Sequence, residues 1–129
     1  MIERRKLEAI AEAIAATSGY HIPDNPLHAA RNPGGLPAVS ASHQRDAENR
    51  RVFTSVLDGM QALLFDIEVK LSGKSRARLQ PTNTLADFAA AFGQPTTAAQ
   101  AWAKFIRRAL HDDAITAKTA LSYFLGEQK

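Results

Sequence analysis

The 129-residue chain contains no cysteine. That excludes a disulfide framework, a thiolate metal site and a cysteine nucleophile, and it fits a reducing cytosol. Long apolar runs are missing too, since nothing approaches the roughly 20 apolar residues of a membrane span. At the N-terminus basic residues precede an Ala/Ile-rich run, but Glu3, Glu8 and Glu12 interrupt it where a signal peptide would be unbroken. The expectation is a soluble, cytoplasmic protein with no membrane partner.

Catalytic signatures of the GxSxG or HExxH kind are also absent, which leaves an enzyme as the class with least support. Gly73-Lys74-Ser75 has the ending of a phosphate-binding loop, yet Glu68 stands where that motif needs its first glycine, and a helix precedes it instead of a strand. His21, His28, His43 and His111, with Asp24, Asp112 and Asp113, lack tight ligand spacing, so neither a metal nor a cofactor is expected. His111-Asp112-Asp113 reads more economically as a helix C-terminus followed by the aspartate cap of the next helix.

What the chain does contain is an ordinary globular composition, 45% hydrophobic and 22% charged, enough for one domain over residues 1–129. Leu7, Ile10 and Ile14 make one apolar face of a helix over Ile2–Thr17, and Ser18-Gly19 supplies a stop. Prolines 23, 26, 33 and 37 and the Gly34-Gly35 pair make residues 20–41 a loop, with at most one helical turn over Pro26–Arg31. Tyr20, Ile22, Leu27, Leu36 and Val39 suggest that this loop packs over the domain. The strongest periodicity, Phe53, Val56, Leu57, Met60, Leu63, Leu64, Ile67 and Leu71, predicts a long amphipathic helix over Ser42–Leu71 as the spine of the fold. Thr84 with Asp87 forms a capping box for a helix to Phe92, Pro95 opens another to about His111, and a last one runs from Asp112 or Asp113. Alternating strands and internal repeats are lacking, so the predicted fold class is all-α.

Charge is unevenly spread. Residues 74–111 hold Lys74, Arg76, Arg78, Lys104, Arg107 and Arg108 against Asp87 alone, a net +5, which leaves −2 for the rest of the chain. Such asymmetry points to a polyanionic partner, while a merely solvated basic face has the same sequence signature.

Within that window, Leu85 to about Lys104 resembles the helix-turn-helix DNA-binding superfamily. Ala89 stands as the small residue where two helices cross, Gly93 as the turn glycine, and Phe88, Phe92, Ala99 and Trp102 as the apolar contacts. Gln94 and Pro95 depart from the pattern, since an aliphatic residue usually follows the glycine. With Ala99, Trp102, Phe105, Ile106, Ala109 and Leu110 turned inward, Gln100, Lys104, Arg107, Arg108 and His111 line the outer face. The resemblance implies base contacts from Thr96, Thr97 and Gln100 and phosphate contacts from Lys104, Arg107 and Arg108, assisted by Lys74, Arg76 and Arg78. It further implies a regulator, of transcription or of a mobile element, binding duplex DNA, with a homodimer as a natural assembly. A basic helix alone does not separate DNA from RNA. The competing expectation is a small helical module that binds another protein through the Ser42–Leu71 helix and the proline-rich loop.

Overall fold

The computed structural model describes residues 3–36, 38, 43–74 and 78–125. Among the described residues five α-helices and one 3-10 turn make an all-α bundle: α1 Arg4–Ser18, α2 Pro26–Ala29, α3 Val56–Leu71, α4 Leu85–Ala91, α5 Thr96–Leu110 and the turn Leu121–Tyr123. Among the described residues the only extended pairing is two isolated antiparallel bridges, Arg45 with Arg51 and Thr84 with Ala120.

The sequence of α1 makes it the centre of the bundle. Leu7, Ile10 and Ile14 are buried beside Ala9, Ala11, Ala13 and Ala15, so the helix is apolar around most of its girth and thin enough for close approach. It packs against both α5 and α3, and α4 joins those two helices from the other side. Burial of each Leu or Ile contributes roughly 1.5–3 kcal/mol. Gly19, at φ +86°, ends α1 in the left-handed conformation the Ser18-Gly19 pair suggests.

The predicted Ser42–Leu71 helix is corrected by the structure, because it begins only at Val56, where the Ser55 hydroxyl accepts from the Asp58 N–H. Residues 43–55 form a turn instead, organised by Asp46. One Asp46 oxygen accepts from the backbone of Glu48 and Arg50, the other from Arg50 Nε, and Asn49 takes φ +64°. An aspartate offers the backbone local partners that compete with a helix, and here they win. Those backbone donors, that of Arg50 foremost, hold the Asp46 carboxyl below the usual aspartate range. Phe53 is buried from this extended segment, while Val56 and Leu57 face solvent. α1, with its many buried alanines, therefore takes the central place expected of α3.

The proline-rich loop is built into the core. α2 is the single turn expected near Pro26, capped by Asn25, whose side chain accepts from the Leu27 N–H. Asn32 is fully buried and satisfies the chain on both sides of it: its Nδ2 donates to the carbonyls of Leu36 and Arg51, and its Oδ1 accepts from the Leu36 N–H. The Phe53 N–H donates to Ala30 O, which ties the loop to the residues just before α3.

The last predicted helix is also corrected. Residues 112–120 run as successive turns, with Asp112 accepting from Ala114 N–H, Thr116 from Lys118 N–H, and Thr119 from Thr116 N–H. Their carbonyls instead serve the start of α4: Leu85 N–H donates to Thr119 O and Ala86 N–H to Ala117 O. These are donors that a helix N-terminus leaves without internal partners. Ile115, Leu121 and Phe124 still return to the core as their apolar character suggests.

Candidate nucleic-acid interface

The corner between α4 and α5 is set by local chemistry. Thr84 and Asp87 form a reciprocal capping box, Thr84 N–H donating to Asp87 Oδ2 at 2.8 Å and Asp87 N–H to Thr84 Oγ1 at 3.3 Å. The Thr84 N–H foremost, then the Asn83 and Thr84 side chains, hold the Asp87 carboxyl below its ordinary range. At the other end Gln94 N–H donates to Ala89 O and Gly93 N–H to Ala90 O, the paired bonds of a Schellman stop, with Gly93 at φ +73°. Pro95 then stands immediately before α5.

Across this corner Ala89 is fully buried at the crossing, and Phe88, Phe92 and Trp102 meet edge to face with centroids 5.1 to 6.1 Å apart. Trp102 Nε1 donates to Thr17 Oγ1 at 2.7 Å, which locks α5 onto the end of α1. Lys70 Nζ lies 4.3 Å over the Phe92 ring, so the end of α3 abuts the same corner.

α5 buries Ala99, Trp102, Ala103, Ile106 and Leu110. Two residues expected in the core are corrected: Phe105 and Ala109 are exposed, and Ala103 takes an inward position instead. The helix is rotated so that its narrow seam of small residues meets its neighbours, which leaves the bulky ring of Phe105 outside. Thr96, Thr97, Gln100, Lys104 and Arg108 are all exposed, on an arc of roughly a third of the circumference at about 100° per residue. Thr97 and Arg108 are about 16 Å apart along the axis at ~1.5 Å per residue.

Arg107 has a second role that its spacing does not reveal. It is half-buried, and its Nη1 donates to Ile115 O at 2.7 Å, pinning the returning C-terminal segment to α5. With Lys104, Arg108, His111 and Asp113 it still lines an open depression of about 460 Å3. His111 closes α5 at φ +53°. The expected aspartate cap after it is corrected: Asp112 accepts instead from Tyr123 Oη at 2.8 Å and from Ala114 N–H. The Tyr123 hydroxyl foremost holds the Asp112 carboxyl below its usual range, while burial first and then Asp112 push the Tyr123 hydroxyl up.

Of the three helper cations, Lys74 and Arg78 are exposed, outside the lining of that depression, and Arg76 lies outside the described residues. Beside the start of α5, a cleft of about 520 Å3 runs between Thr97, Ala101 and Trp102 on one side and Gly34, Gly35 and Arg50 on the other. The sequence gives no sign of that wall, because Arg50 belongs to the segment that reads as helix. Arg50 is itself paired with Asp46 and Glu48. Among the described residues no group of three or more His, Cys, Asp or Glu side chains is placed to hold a metal ion, and no helix is long and apolar enough to cross a membrane. No protein-family model, no curated protein and no solved structure matches this chain.

Proposed function

We propose that this protein is a non-catalytic DNA-binding protein, a regulator in kind, that docks α5 against duplex DNA. The observation that carries the reading is the division of α5 into a seam packed on α1 and α4 and an exposed face bearing Thr96, Thr97, Gln100, Lys104 and Arg108. Polar residues stand at the N-terminal half, where helix-turn-helix docking reads base edges, and cations at the C-terminal half, where phosphates are met. The mechanism is positioning by charge with readout by Gln100 and the two threonines, and no bond is made or broken. A homodimer would double the contacted site.

The test is a salt titration of binding to mixed-sequence duplex. Arg107 is left intact because it holds Ile115, so the variant is Lys104→Ala with Arg108→Ala. The expected result is weaker binding at every sequence, with the slope of log K against log salt shallower by about 2, since each phosphate contact contributes about 0.9. An unchanged slope sinks the proposed face, and absence of wild-type binding at low salt sinks the DNA reading.

One observation favours a protein partner instead. Leu57 and Phe65, two turns apart on α3, are 65% and 69% exposed. A complex that survives high salt and is lost in Phe65→Lys would support that second reading.

A further inference from the structure

Most aromatic rings of this protein have company. Lys6 lies over Tyr123, Arg51 over Phe53 and Lys70 over Phe92, each nitrogen or guanidinium carbon 4.2 to 4.6 Å from the ring centroid. Phe88, Phe92 and Trp102 stack on each other, Tyr123 on Phe124, and Tyr20 on two histidines. Among the described residues, Phe105 and Phe65 are the rings with neither an aromatic nor a cationic partner, and both are exposed.

Charge separates these two. Phe65 sits on α3 beside Asp66 and one turn before Glu68, surroundings that repel a polyanion. Phe105 borders the cationic face of α5, about 60° around the helix from Arg108 and about 100° from Lys104, both exposed. Four residues to either side of it are Ala101 and Ala109, too small to cover the ring, and a helical side chain leans towards the preceding turn, here over Ala101. The result is a bare aromatic surface with cations along one side, which suits a base taken out of its stack: the ring meets the base face while the cations hold the adjoining phosphates.

We infer that Phe105 is a stacking platform for an unpaired base, so that the α5 face binds nucleic acid containing an unstacked nucleotide more tightly than fully paired duplex. This rests on the nucleic-acid reading given above and adds to it the state of the substrate. Every base has a π-face, so the contact is indifferent to sequence and adds to whatever Gln100 and the threonines read.

The test is fluorescence anisotropy with two labelled probes, a fully paired duplex and the same duplex carrying one unpaired thymine. Wild type is expected to bind the bulged probe about tenfold more tightly, the order of one base–aromatic stack. Phe105→Ala, at a position 41% exposed and so tolerant of truncation, is expected to bring the two affinities together with little change for the paired duplex. Phe105→Trp is expected to keep the preference. Wild-type binding without preference, or a preference that survives in Phe105→Ala, overturns this inference and leaves the ring to a protein partner. Absence of binding to both probes overturns the nucleic-acid reading along with it.

Discussion

Gly59→Ala is expected to destabilise the fold by about 2–4 kcal/mol, although the same change inside an exposed helix gains about 1 kcal/mol. Gly59 lies in the first turns of α3, where Arg31 of the loop crosses it. A methyl group built on Gly59 would come within 1.9 Å of the Arg31 carbonyl oxygen and 3.2 Å of Pro33 Cδ. The obstacle is backbone, so no rotamer change relieves it. The loop must move outward, and with it Ala30 O, which accepts from Phe53 N–H, and the buried Asn32 beside it. Gly93→Ala supplies the contrast: nothing lies within 4 Å of the added carbon, and the cost is the strain of φ +73° alone, about 1–2 kcal/mol. Thermal and urea midpoints of the two variants check the order. A Gly59→Ala protein as stable as wild type would show that the loop does not bear on α3 as described.

The second large effect is expected at Asn32. Its three hydrogen bonds are each 2.9 Å, and they join Leu36 to Arg51 across the base of the loop. In Asn32→Leu the Leu36 N–H and the Arg51 carbonyl lose their partner, whereas Leu36 O keeps the Arg51 N–H that it also accepts. Two part-buried groups left unsatisfied cost about 1 kcal/mol each, the low end of the range for buried ones. Asn32→Asp is expected to be worse at neutral pH, because a carboxylate oxygen would then face two carbonyl oxygens. Burial and those neighbours disfavour the charged form, so the folded-state pKa of that aspartate is raised. The sign follows: its penalty is smallest below the unfolded value, about 3.9, and grows as pH rises through it. Urea titrations of wild type and Asn32→Asp at pH 3.5 and 7 measure this, and a gap that does not widen with pH would refute the assignment.

These two positions show why the loop reads so poorly from sequence. Prolines and the Gly34-Gly35 pair announce an irregular segment, but the partners that order it are backbone atoms of Leu36, Arg51 and Phe53 and the bare flank of Gly59. Nothing in the spacing of Asn32 marks it as buried. The same holds for Arg107, which belongs to the basic face by helical period and yet donates to Ile115 O, a residue brought alongside only by the returning chain.

By itself the sequence determined what depends on near neighbours. The all-α class, the end of α1 at Gly19, the Thr84–Asp87 box, the stop at Gly93 and the buried Ala89, Ala99 and Trp102 all follow from contacts within a turn or two. Tertiary structure decided where several local solutions were nearly equal. From His43 to Ser55 the sequence reads as helix, and the burial of Phe53 against the loop favours the Asp46-centred turn instead. Along α5 the apolar residues fit two seams about 40° apart, one turning Phe105 inward and one turning Ala103 inward. Close packing on the alanine-rich α1 selects the smaller residue. That choice leaves a phenyl ring exposed beside the cationic face, a consequence of the shape of the neighbouring helices that no periodicity within α5 contains.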